Sequence, residues 1–174
     1  MKVKKKELDN STFIILIFAM ILLMNPGTMK SQDTAGHINY KPIGYFHTDY
    51  SSESGAPRQG ALRPDEMSTI EILPEYRDAL KKLDSFEHII VLYHLNESNG
   101  WTAWVRPAGM PTNEIHGLFG TRTPRRPNPI GFGVIKLHKI KNGILHISGA
   151  DAYDGTPVLD IKPYIPSIDC PEDK

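Results

Sequence analysis

Three arginines, Arg122, Arg125 and Arg126, stand in the segment TRTPRRPNPIG, Thr121 to Gly131, interleaved with Pro124, Pro127 and Pro129. Each proline fixes one φ angle, so the loop has less entropy left to lose when a ligand orders it. Each guanidinium offers a planar fork of donors suited to a carboxylate or a phosphate. The segment reads as a preorganised anion or nucleotide site. It reads equally as a proline-rich surface loop whose arginines are solvated or paired with acidic neighbours. A second cluster, GADAYDGTPVLDIKPY from Gly149 to Tyr164, carries Asp151, Asp154 and Asp160. Carboxylates on a strand-end loop can hold ribose hydroxyls, an amine or a cation, or act as a general base. Asp154, just before Gly155, can instead cap its own turn through the backbone.

His94 ends an apolar run and is the best placed of seven histidines, as a site residue or as a hydrogen-bonded core side chain. No histidine is spaced with Asp, Glu or Cys in a known metal motif, so no metal is expected. Walker-type, GxGxxG and GxSxG sequences are all missing, which removes the usual routes to ATP, NAD or a serine nucleophile.

The elements that must position these residues are mainly short strands. Ile38 to His47 is extended and β-prone, with Pro42 indicating an edge. Thr48 to Pro64 is a long polar loop containing APRQG, Ala56 to Gly60, and loops of this length in compact domains are usually functional or mobile. Thr69 to Leu73 is a short strand. Pro74 opens the one expected helix, on Tyr76, Ala79, Leu80 and Leu83 at helical spacing. His88 to Leu95 reads as a central strand buried on both faces. Trp101 to Val105 and Phe132 to Ile140 follow as strands. Lys141-Asn142-Gly143 then turns a hairpin into Ile144 to Ile147, and Val158 to Ile161 closes the series. The expected fold is mainly β: one sheet curled toward a barrel, with one short helix.

Fourteen glycines and fourteen prolines in 174 residues agree with a loop-rich β architecture, and the length allows one domain with a real core. Twenty basic and twenty acidic side chains give no global field, so any polyanion site must be a local cluster. Cys170 is the only cysteine, which leaves neither an internal disulfide nor a thiolate metal cage. Lys2, Lys4, Lys5 and Lys6 precede an apolar run from Phe13 to Met24. That is the pattern of a signal peptide, although no small-x-small cleavage site follows. The run is short of the about 20 residues that span a bilayer. An uncleaved membrane anchor, or a true start at Met20, Met24 or Met29, stays open beside the signal peptide. The expected organisation is a leader over residues 1–35, a domain over 38–168 and a tail over 169–174.

Five segments in order, PIGYFHT (Pro42 to Thr48), APRQG, NGW with VRP (Asn99 to Pro107), GLFGTRTPRRPNPIG (Gly117 to Gly131) and DGTPVLDIKPYIP (Asp154 to Pro166), resemble one family. It is the tRNA threonylcarbamoyladenosine N6-methyltransferases, with their TsaA-like, S-adenosyl-L-methionine-binding β-barrel. The resemblance covers about Tyr40 to Pro166. It implies a cofactor site built from Pro57, Arg58, Gln59, His94, Arg122, Phe132, Asp151 and Asp154, with Tyr93 or Phe132 flanking the adenine or sulfonium. Arg125 and Arg126 would contact tRNA phosphates, and Asp154 would be the base if one is used. The resemblance also implies a homodimer with the pocket near the subunit interface, acting in the cytoplasm. The leader points instead to export or membrane attachment, and with it to a non-catalytic nucleotide-binding module of the same fold. Ala108-Gly109-Met110 replaces a stretch that often carries proline and arginine in the family, and Gly120 stands where alanine is frequent. Longer members add a C-terminal region, so a weaker grip on RNA is expected.

Overall fold

Apolar and polar side chains alternate along most of the strands, and in a closed sheet that alternation sorts them into an inside and an outside. The computed structural model describes residues 38–107 and 114–170. The expected leader, Ala108-Gly109-Met110 and residues 171–174 of the tail lie outside them. The chain divides after Asn39, and the unit from Tyr40 onward contains the sheet. Its strands are β1 (Gly44–His47), β2 (Met67–Ile72), β3 (His88–His94), β4 (Trp104–Val105), β5 (His116–Gly117), β6 (Ile130–Lys141), β7 (Ile144–Ser148) and β8 (Pro157–Pro163). Six of them close an antiparallel barrel in the order β1-β2-β7-β6-β3-β8, while β4 and β5 form a separate two-stranded ribbon. Phe46, Ile70, Ile89, Val91, Leu145, Ile147 and Val158 fill the interior and are fully buried.

Several boundaries differ from the sequence expectation for identifiable reasons. Pro42 precedes β1, and β1 is no edge, because closure pairs it with both β2 and β8. Along β3 only Ile89, Val91 and Tyr93 are buried; His88, Ile90, Leu92 and His94 face outward and are half-exposed. A barrel has a single core, so an apolar outer face is surplus to it. The expected Trp101 to Val105 strand shrinks to Trp104–Val105, paired off the barrel with His116–Gly117. The Asn-Gly hairpin forms as expected, with both residues at positive φ (52° and 80°) between β6 and β7.

The expected helix is instead a pair of 3-10 turns, Pro74–Leu80 and Leu83–Ser85. Its apolar positions were legible, since Tyr76, Leu80 and Leu83 do pack against the core. Lys82 adopts a left-handed conformation between the two turns and so separates them, and Arg77 Nε donates back to the Ile72 carbonyl at 3.0 Å. The only α-helical turn among the described residues is Pro166–Asp169.

Candidate functional site

Antiparallel closure brings the ends of β1, β3 and β7 and the starts of β2, β6 and β8 to one rim of the barrel. The long loops leave from this rim, and they enclose a cleft of about 1790 Å³. Pro57, Arg58 and Gln59 come from the β1–β2 loop, Arg122, Arg125 and Arg126 from the loop before β6, Phe132 from β6, and Asp151 from the β7–β8 loop. The sequence expectation therefore converges on one cavity for eight of its residues.

Glycines decide how closely the parts approach. A Cβ on Gly60 would run into the Gly149 carbonyl, so the APRQG loop can lie on the β7–β8 loop only because position 60 has no side chain. Gly131, the glycine of NPIG, is opposite Tyr93 in register, and a Cβ there would enter the Tyr93 ring. The ring fills the space left by the glycine, packs edge-on to Phe46 at 5.4 Å, and turns its hydroxyl toward the cleft floor.

There Tyr93 Oη donates to Asp151 Oδ1 at 2.6 Å. Burial pushes the Asp151 carboxyl above the usual carboxylate range. The Tyr93 hydroxyl, the Gly60 amide and the Arg122 guanidinium oppose that rise but do not cancel it. Tyr93 is itself driven up, by burial first and by the adjacent Asp151 charge second. Across the cleft Arg122 Nη1 donates to Gln59 Oε1 at 2.6 Å, which ties the arginine loop to the APRQG loop. Arg126 is partly committed to its own loop: Nη1 donates to the carbonyls of Thr121 at 2.9 Å and Thr123 at 3.3 Å, and the guanidinium lies over Phe119. Arg125 lines the cleft with an exposed side chain.

Two expected residues lie elsewhere. His94 follows Tyr93 on β3 and therefore points to the outside of the barrel, while Tyr93 and Leu95 line the cleft. Asp154 is not on the cleft wall. Its Oδ1 accepts the Thr48 amide at 3.2 Å and sits 3.6 Å from His47 Nδ1, with 58% of the side chain exposed. Its side chain thus ties the β7–β8 loop to the end of β1 rather than capping its own turn. Sequence reasoning gave no role to the aromatic rim, Trp101, Trp104 and Phe119, which are 55%, 69% and 78% exposed and line the same cleft. Their signal was their place inside the NGW and GLFGT segments. Among the described residues no cluster of His, Cys, Asp and Glu is arranged to hold a metal, and no helix is long and apolar enough to cross a membrane.

The model of the tRNA-methyltransferase O N-terminal domain matches residues 45–170. A probable S-adenosyl-L-methionine-binding protein of Pyrococcus abyssi is 42% identical over 135 residues, covering 78% of this chain and 72% of that protein. The tRNA (adenine(37)-N6)-methyltransferase of Mus musculus is 37% identical over 154 residues, covering 84% of this chain but 35% of its own length. A crystal structure of TrmO superposes with a TM-score of 0.66 at 36% identity, over 79% of this chain and 62% of that one. The present chain thus spans about a third of the mouse protein and under two thirds of the solved one. Barrel, loops and sequence agree over the same stretch, and the chain belongs to the tRNA-methyltransferase O N-terminal domain family.

Proposed function

We propose that this domain binds S-adenosyl-L-methionine in the rim cleft and transfers its methyl group to N6 of a threonylcarbamoyl-modified adenosine in tRNA. The observation that carries the reading is the convergence of the APRQG loop, the arginine loop and the Asp151 carboxylate on one cleft. These residues suit the charges of the cofactor. Arg58 and Arg122 match its carboxylate, Asp151 a ribose hydroxyl or the ammonium group, and the exposed face of Phe132 the adenine or sulfonium. The Tyr93 ring is buried in the core and offers the cleft only its hydroxyl. Arg125 and the uncommitted donors of Arg126 remain for tRNA phosphates. The bound cofactor supplies an electrophilic methyl, so the chain's main task is positioning, for which near-attack geometry contributes roughly 7–11 kcal/mol. Relatives whose names specify S-adenosyl-L-methionine binding and tRNA adenine methylation support the assignment. Since tRNA and this cofactor are cytoplasmic, the reading also places the domain in the cytoplasm.

Calorimetric titration of S-adenosyl-L-methionine tests the site. Loss of a charge-assisted bidentate partner in Arg122→Ala should weaken binding about 10- to 100-fold, from roughly 1.5–3 kcal/mol. Asp154→Ala, outside the cleft, should bind like wild type. Equal losses in both variants would refute this placement of the cofactor, and a folded wild type that binds nothing would refute the function.

The same reading includes a homodimer. Ile130, Phe132 and Val134 form an apolar stripe on the outside of β6, each between 41% and 49% exposed, and Phe132 belongs to both the stripe and the cleft wall. A second copy seated on the stripe would cover it and bring the cleft near the interface. Sedimentation velocity should find a dimer for wild type and a monomer for Val134→Asp; a wild-type monomer at all concentrations would exclude the assembly.

A further inference from the structure

Methylating an N–H nitrogen releases a proton, and the cleft holds few groups that can take it. Its arginines cannot accept one at neutral pH. No histidine is among the described residues that line it, and its other carboxylate, Glu97, is exposed to solvent. Asp151 differs in being set into the floor, with one oxygen fixed by the Tyr93 hydroxyl at 2.6 Å and the Gly60 amide also donating to the carboxylate. Resting on the methyltransferase reading, we infer that Asp151 is the proton acceptor of methyl transfer and that Tyr93, seated on Gly131, holds it in place.

The atoms balance simply. The acceptor nitrogen's lone pair forms the new N–C bond, the C–S bond breaks with its pair left on a neutral thioether, and the N–H proton passes to the Asp151 carboxylate. From there it returns to water after product leaves. A carboxyl held above its usual range is a better acceptor near neutrality than an exposed one. The charged and titratable groups that act on it are Tyr93 from β3, Arg122 from the loop before β6, and Tyr50 from the β1–β2 loop. Tyr50, pushed up to about 12 chiefly by burial, stays neutral through the working range.

Three readouts on the full chain test this: ¹³C titration of the Asp151 carboxyl in the cofactor-free protein, calorimetric affinity for S-adenosyl-L-methionine, and single-turnover methylation of threonylcarbamoyladenosine-containing tRNA at saturation across pH. The wild-type rate should fall at acid pH as Asp151 protonates. Asp151→Asn should lower the saturated rate by about 10²- to 10⁴-fold and abolish the acid limb. Tyr93→Phe keeps the ring and removes a donor that favours the carboxylate, so both the limb and the ¹³C titration should move to higher pH. If the Asp151→Asn defect disappears at saturation, Asp151 only binds and the inference falls. An unchanged limb in Tyr93→Phe would remove the positioning role. Should wild type itself neither bind the cofactor nor methylate, the functional reading fails first, which is a distinct result from a wild type that works and an Asp151→Asn that works equally well.

Discussion

Gly60→Ala should leave the barrel folded and weaken S-adenosyl-L-methionine binding by at least ~100-fold, equivalent to losing two charge-assisted contacts of about 1.5 kcal/mol each. The added methyl would meet the carbonyl of Gly149, a backbone atom with no rotamer through which to yield. Relief must come from the APRQG loop lifting away from the β7–β8 loop. Arg58 and Gln59 would move with it, the Gln59–Arg122 bond would break, and the Gly60 amide would leave Asp151. Gly60 lies in a 3-10 turn outside every barrel strand, so no ladder hydrogen bond is forfeited. Gly120→Ala is the matched control. A Cβ at position 120 would meet no atom within 4 Å, so that variant should bind normally. Calorimetry beside circular-dichroism melting separates the outcomes, and a Gly60→Ala protein with wild-type affinity would show that the loop contact does not shape the site.

The strands were legible from short apolar, β-prone runs bounded by turn residues, and the hairpin because Asn142-Gly143 is the pair that tolerates positive φ twice. Closure explains what was not legible. It supplies β1 with a second neighbour despite Pro42, and it gives β3 an outer face that composition could not tell from a buried one. The 3-10 turns after Pro74 were hidden for a different reason. Tyr76, Leu80 and Leu83 satisfy helical spacing, yet the segment only has to lay three side chains on the barrel end, and a broken 3-10 path does so.

In the site, prolines and arginines marked the two loops because their chemistry is local. The choice between Asp151 and Asp154 is not local. The two lie three residues apart, and what separates them is a tyrosine on β3 and a glycine in the β1–β2 loop. For the same reason His94, beside the cleft in sequence, faces the outside of the barrel and is not among the residues lining the cleft, whereas Tyr93 one residue earlier is turned in. The aromatic rim was silent because exposed Trp104 and Phe119 gain their meaning only from the cavity they border.

Phe46→Ala should destabilise the domain by about 3–5 kcal/mol, the usual range for removing a fully buried phenylalanine. β1 has only four residues and is the strand that closes the barrel. Its ladder to β8 consists of two register pairs, Gly44 with Val158 and Tyr45 with Pro157, extended by the Phe46 amide donating to the Thr156 carbonyl at 3.0 Å. So short a seam depends on the side chain it delivers to the core, and Phe46 is that side chain, with no exposed surface. Its ring also supports Tyr93 edge-on, so the cavity left by alanine would open directly beneath the hydroxyl that holds Asp151. Cofactor affinity should therefore fall along with stability. Ile89→Val, equally buried but on a strand with seven pairs to β6, should cost only about 0.5–1.5 kcal/mol and leave affinity unchanged. Urea unfolding of the two variants decides the matter: a Phe46→Ala loss no larger than that of Ile89→Val would mean that the seam is held by its backbone ladder, and that Tyr93 does not need the ring beneath it.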